Sequence, residues 1–214
     1  MATAAIVPEI ALRTGGLSMP LWEAAVLADE RPAVPPPYWA WAWAGGQALA
    51  RHVLDHRDLV RGRTVADIGC GGGIVAIAAA MAGATIVSAI DLETFAIEAC
   101  RINAAANGVD LSYEETDPIG TDAGWDVVLV GDLWYEHDLA ARMGPWLREL
   151  AARGAVVLTG DPGRAHLPAV GLADLARYEV PTIEDLEDVT TKTVRVLRLP
   201  PDPGAGQAGR SSKT

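Results

Sequence analysis

Short apolar runs alternate along this chain with longer segments whose apolar residues recur at helical spacing. Residues 65–68, 84–90, 109–113, 125–130 and 155–159 are rich in Val, Ile, Ala and Leu and mostly end at Gly, Asp or Thr. Such runs predict strands buried on both faces of a parallel sheet. Between them, 47–56, 74–82, 94–107 and 137–150 predict helices. Leu49 and Val53 share one side of the first, and the second is small and apolar all round, as a buried helix would be. Phe95, Ala99, Ile102 and Ala106 form the expected inner face of the third, which Asn107-Gly108 stops. Leu139, Met143, Trp146, Leu147 and Leu150 align on the fourth. Strand–helix alternation predicts an α/β, Rossmann-like fold with helices on both faces of a mostly parallel sheet. The pattern changes after residue 164. Residues 167–174 read as a short helix, and 175–180 and 191–199 as two strands joined by the acidic loop IEDLED. With no helix between them, they predict an antiparallel edge hairpin at the C-terminal end.

The ends of the chain are less patterned. Residues 1–34 form an N-terminal extension, with a short helix expected over 20–30 behind Pro20. Residues 35–200 make the domain, and 201–214, rich in Gly, Pro and Ser, predict a disordered tail. A length of 214 residues, half of them hydrophobic, suits one globular domain. The net charge of -11 and pI near 4.7 argue against nucleic acid or an anionic membrane as partner, because both call for a basic face. An acidic surface does suit a basic substrate. Two cysteines, Cys70 and Cys100, give no disulfide framework and point to a reducing compartment, so a cytoplasmic location is expected. No paired Cys/His spacing suggests a metal, no signal peptide is visible, and no apolar run has membrane length.

The chemistry is concentrated in Thr64 to Gly73, TVADIGCGGG, a strand running through a glycine turn into a helix. The dinucleotide fingerprint wants a third small residue where Ile74 stands, and the phosphate-binding P-loop wants a lysine that is absent. What stands here is an acid, Asp67, two residues before glycines spaced by two: Gly69, Gly71 and Gly73. That is the pattern of S-adenosylmethionine (SAM)-dependent methyltransferases of the seven-strand class. SAM carries an ammonium that wants an acid and a carboxylate that wants backbone N–H groups, tasks suited to Asp67 and the glycine amides. Asp91, ending the second strand, can accept from both ribose hydroxyls, or can cap the next helix. Asp117 stands where an acid can meet the adenine amino group, or is a plain loop carboxylate.

The carboxyl ends of parallel strands form one rim, where ligands of such sheets bind. On it the fourth strand ends GDLWYEHD, from Gly131 to Asp138. Asp132 is expected to hold an acceptor amine and take its proton, and Trp134 and Tyr135 to present aromatic faces to a cation. His137 is a weaker base candidate, expected to face solvent. Upstream, VPPPYWAWAWAGG sets Trp39, Trp41 and Trp43 on one face if extended, as a core cover or a lid over cofactor or substrate.

PPYWAWAWAGGQALARHVLD, DIGCGGGIVAIAAAMAGA, TFAIEACRINAAANG, GDLWYE and GDPGR together resemble the family of electron transfer flavoprotein beta subunit lysine methyltransferases. The resemblance covers roughly residues 36–164. It implies the seven-strand class I methyltransferase fold, SAM as cofactor with S-adenosylhomocysteine as product, and a protein lysine as methyl acceptor, with that flavoprotein subunit as the expected substrate. It implies Asp132 and Tyr135 at the acceptor lysine, with Trp43 and Gly45 near SAM and Gly131 beside them. Trp39, Trp41 and Trp134 are then expected on the acceptor. Two other readings stay open: a small-molecule N- or C-methyltransferase of secondary metabolism, and a non-catalytic SAM- or partner-binding module.

Overall fold

A computed structural model describes residues 2–15, 36–182 and 190–201. The expected helix over 20–30, the IEDLED loop and the tail from 202 on lie outside the described residues. Among the described residues a seven-stranded sheet runs in the order β5-β4-β3-β6-β7-β9-β8. Its members are β3 (Thr64–Ile68), β4 (Ile86–Asp91), β5 (Ser112–Glu115), β6 (Val127–Gly131), β7 (Val156–Asp161), β8 (Ala173–Pro181) and β9 (Thr191–Leu199). The first five are mutually parallel, and β9 is antiparallel to both β7 and β8. The C-terminal hairpin therefore closes the sheet edge as expected, with the later strand inserted inside the earlier one. The order of strands across the sheet reverses between β3 and β6, which opens a crevice at their carboxyl ends.

Period-two alternation splits each central strand between two cores. Val65, Val127, Leu129 and Leu158 face one way, and Ala66, Ile68, Val128, Val130 and Val157 face the other. The first face is covered by α1 (Ala44–Asp55), α2 (Ile74–Met81) and α3 (Thr94–Ala106), and the second by α4 (His137–Arg153). Met143, Trp146, Leu147 and Leu150 of α4 are buried as the periodicity predicts, and Leu139 is half-buried.

Four differences from the pattern have physical causes. The inner face of α3 is Ala96, Ile97, Cys100, Asn103 and Ala104, whereas Phe95 and Ile102 are exposed. Asn103 makes its buried position look polar in sequence. Helix α1 begins at Ala44, so Gly45 and Gly46 lie inside its first turn. The helix expected over 167–174 does not form; that stretch is bend and irregular backbone until β8 starts at Ala173. Last, the extension is not separate. β1 (Ala2–Ala4) and β2 (Val7–Leu12) form a hairpin whose Val7, Ile10 and Leu12 join the first core. Burying three such side chains stabilises by about 1.5–3 kcal/mol each. Asn107 fastens β2 by donating to the Ala11 carbonyl (2.7 Å) and accepting from its N–H (2.9 Å), as a neighbouring strand would.

Candidate active site

The glycine turn after β3 divides its labour. At Gly73, where φ is +85°, a Cβ would lie 2.4 Å from Cys100 Sγ. Gly73 therefore lets α3 pack against the start of α2 and, contrary to its expected cofactor role, does not line the crevice. Gly69 and Gly71 do line it, with Cys70 and Gly72. Asn103 holds the turn from behind: its Nδ2 donates to the Gly72 carbonyl (2.8 Å), and its Oδ1 accepts from the Arg13 N–H (2.7 Å).

The crevice is a cavity of about 400 Å³, within the range of small-molecule sites. Asp67, 2% exposed, sits on its floor and accepts from the Ala76 N–H at 2.9 Å. Burial, with a smaller push from Asp91, raises its carboxyl to about 8. A buried carboxyl in that state gains most from an arriving cation. Asp91 bridges the two strand ends: its Oδ2 accepts from the Gly71 N–H (2.9 Å) and its Oδ1 from the Glu93 N–H (3.1 Å). Its carboxylate shapes the turn and still lines the cavity. Asp117, at the rim, accepts from the Ile119 N–H and pairs with Arg142. Partial burial acts upward on this carboxyl, but those two partners outweigh it and hold it below the usual range.

The aromatic segment forms the outer wall. Tyr38–Ala40 is a turn of 3-10 helix, so the tryptophans do not share one extended face. All three nevertheless line the cavity. Trp39 stacks on Phe95 with centroids 6.1 Å apart, and Trp43 Nε1 donates to the Tyr38 carbonyl (2.7 Å). Tyr38 and Tyr135, both nearly half exposed, stand with ring centroids 6.1 Å apart. Burial raises the Tyr135 phenol, with further push from Glu136, Tyr38, Asp91 and Glu93.

At the β6 end, Asp132 adopts φ +63°, the one non-glycine residue in the left-handed region among those described. Asp tolerates that region better than most residues. The residue is 6% exposed; its Oδ2 accepts from the Gly45 N–H at 2.6 Å, and its Oδ1 from Arg164 Nε at 2.5 Å. Asp132 thus caps α1 from a strand far away in sequence. Glycine is required on both sides of this junction. A Cβ on Gly45 would come within 2.3 Å of the Gly160 oxygen, and one on Gly160 within 2.2 Å of the Gly45 oxygen. Gly45 therefore sits behind the cavity wall, while Gly46 and Gly131 line it.

Trp134 is not at the site. It is fully buried in the second core, with Nε1 donating to Thr159 Oγ1 at 2.9 Å, which overturns its expected place on the acceptor. His137 is exposed and pairs with Asp138, as its solvent-facing reading predicts. Sequence reasoning missed Asn103, hidden inside a helix, and Arg13, carried by the unexpected hairpin. Arg164 was in view within GDPGR, and only its role went unread.

Residues 48–130 match the model of the ribosomal protein L11 methyltransferase (PrmA) family. The chain is 39% identical over 201 residues to the electron transfer flavoprotein beta subunit lysine methyltransferase of Xenopus laevis, an alignment spanning 88% of this chain and 79% of that protein. Against the Danio rerio protein it is 38% identical over 186 residues, 82% and 70% of the two chains. This chain belongs to that family. The fold is shared with magnesium protoporphyrin IX methyltransferase of Synechocystis, solved with bound S-adenosylhomocysteine (TM-score 0.52, 15% identity, 86% and 95% covered). It is also shared with the Pyrococcus abyssi tRNA (uracil-54, C5)-methyltransferase in complex with the same product (TM-score 0.50, 19% identity, 70% and 38% covered). The chain is a SAM-dependent methyltransferase. Its cavity fits that donor: a buried carboxyl poised for a cation, a glycine turn along its wall, and a second carboxylate one strand over. No helix among the described residues is long and apolar enough to cross a membrane.

Proposed function

We propose that this enzyme methylates the ε-amine of a lysine side chain on a protein, with electron transfer flavoprotein beta subunit as first candidate. The observation that carries the reading is one cavity joining two sets of residues. Both sets line it: we assign Asp67, the glycine turn and Asp91 to the donor end, and Asp132 with Tyr135 and Tyr38 to the acceptor end. Asp67 takes the donor's ammonium, the glycine turn borders its carboxylate, and Asp91 takes its ribose hydroxyls. Trp39, Trp41 and Trp43 exclude water from that end, and Asp117 borders the adenine. When bound, SAM supplies an electrophilic methyl on a sulfonium.

At the acceptor end, Asp132 accepts a hydrogen bond from the amine and aims its lone pair. The Gly45 N–H and the Arg164 guanidinium both stabilise its carboxylate, so it is a weak base; the amine's proton leaves to solvent through the mouth beside Tyr135. The half-exposed Tyr38–Tyr135 pair suits a long side chain reaching in from a protein surface. Net charge of -11 supports a basic protein target over nucleic acid. Two unpaired thiols support a reducing, cytoplasmic setting.

Purified enzyme, methyl-labelled SAM and the flavoprotein subunit should yield methyl-lysine by peptide mass spectrometry. No incorporation into the subunit, alongside ready turnover of a small amine, would reject the substrate.

A further inference from the structure

The turn after β7 delivers a cation to the acceptor end. Asp161, fully buried, folds the GDPGR turn by accepting on one oxygen from the Gly163 N–H (2.6 Å) and the Arg164 N–H (2.8 Å). That turn sends the Arg164 side chain back onto Asp132 Oδ1 at 2.5 Å, with its guanidinium carbon 5.8 Å from the Trp43 ring centroid. Arg164 is partly buried and lines the cavity, so the contact is not a solvated surface pair. We propose that Arg164 is a positioning residue for methyl transfer: its guanidinium fixes Asp132 toward the cavity and, as a resident cation, makes the bound acceptor give up its proton. This rests on the placement of Asp132 at the acceptor end.

The chemistry requires such a device. A lysine enters as an alkylammonium with no free lone pair. It must first lose a proton to solvent. The nitrogen lone pair then forms the N–C bond as the donor's C–S bond breaks, with the bonding electrons going to sulfur. A lone buried carboxylate would attract the ammonium and oppose its deprotonation. Pairing Asp132 with Arg164 leaves the hydrogen-bond acceptor in place while cancelling most of its field. Besides Arg164, the charged and titratable groups that line the cavity or stand beside it are Arg13 after β2, Asp117 with its partner Arg142 at the rim, Asp161 and His166 on either side of the β7 turn, Tyr135 and Glu136 from the β6 turn, Tyr38 from the aromatic wall, and Asp67, Asp91 and Glu93 from the ends of β3 and β4. Arg164 is the basic group whose side chain is bonded to Asp132.

Arg164→Gln tests the idea, with Arg164→Lys keeping the charge but not the fork. The equilibrium probe is n-butylammonium titrated into each protein saturated with S-adenosylhomocysteine, followed by NMR at pH 7. Arg164→Gln should bind it roughly tenfold tighter, as one lost neighbouring charge predicts, and Arg164→Lys should match wild type. On a methylated acceptor, the midpoint of kcat against pH should rise by roughly one unit in Arg164→Gln and return in Arg164→Lys. Unchanged butylammonium affinity in a folded Arg164→Gln protein overturns the inference, whatever the acceptor is. So does a loss of S-adenosylhomocysteine binding, which would make the residue a scaffold for the turn. Absence of lysine methylation by wild type rejects the proposed substrate and leaves the probe result to decide on Arg164.

Discussion

Two buried aspartates, Asp67 at the end of β3 and Asp132 just past β6, solve one electrostatic problem in opposite ways. They sit at the ends of adjacent parallel strands, are 2% and 6% exposed, and each accepts a backbone N–H at the start of a helix, Ala76 for Asp67 and Gly45 for Asp132. Asp132 also holds a guanidinium. Asp67 is instead pushed toward its neutral form by burial. The first arrangement is complete within the protein; the second waits for a cation from outside. The difference sorts the two ends of the cavity. The Asp67 end is built to gain a charged ligand group, and the Asp132 end to hold a neutral amine in place.

The sharpest break in that comparison is Asp132→Asn. Asparagine tolerates the left-handed backbone at this position, so the change tests chemistry and not strain. Turnover should fall by about 10³, the scale for losing one preorganised electrostatic group, with S-adenosylhomocysteine affinity within about twofold of wild type. Retained kcat would remove Asp132 from the acceptor end.

The reciprocal change, Asp67→Asn, should act on binding. Loss of a charge-assisted partner for the donor's ammonium should weaken S-adenosylhomocysteine by roughly tenfold or more. It should also change the pH dependence of stability. The folded-state value of Asp67, about 8, lies above that of an unfolded aspartate, so its contribution to stability is fully present in acid and is lost as pH rises toward 8. Asparagine carries no such dependence. The melting temperature of ligand-free Asp67→Asn, relative to wild type, should therefore climb between pH 5 and 8; a flat difference would show that Asp67 is ionised at little cost.

The two ends were not equally legible. Asp67, Gly69, Gly71 and Asp91 belong to one strand–turn–helix–strand unit, where local spacing dictates geometry. The acceptor end joins α1, β6 and the β7 turn. Its junction at Gly45 and Gly160 depends on backbone approach between segments more than a hundred residues apart in number, which no spacing reveals. Nor does alternation say whether an aromatic faces core or cavity: Trp134 and Tyr135 are neighbours, and only one is on the rim. The sheet, by contrast, followed from short apolar strands, and its edge hairpin from the missing crossover helix.

Trp134→Phe gives the smallest effect and the cleanest separation of these neighbours. Phenylalanine keeps most of the apolar volume over Gly144 but removes the indole N–H that Thr159 Oγ1 accepts inside the core. A lost buried hydrogen bond, plus a small void, should lower stability by about 1–2 kcal/mol in denaturant unfolding. KM for the acceptor should not move, because the Trp134 ring packs beneath the β6 end and touches the cavity only through the residues it supports. Tyr135→Phe should do the reverse: raise KM or lower kcat with stability nearly unchanged, since Tyr135 is 47% exposed. If Trp134→Phe shifted KM as strongly as Tyr135→Phe, the second core and the acceptor end would act as one unit, and the division between the two faces of the β6 turn would fail.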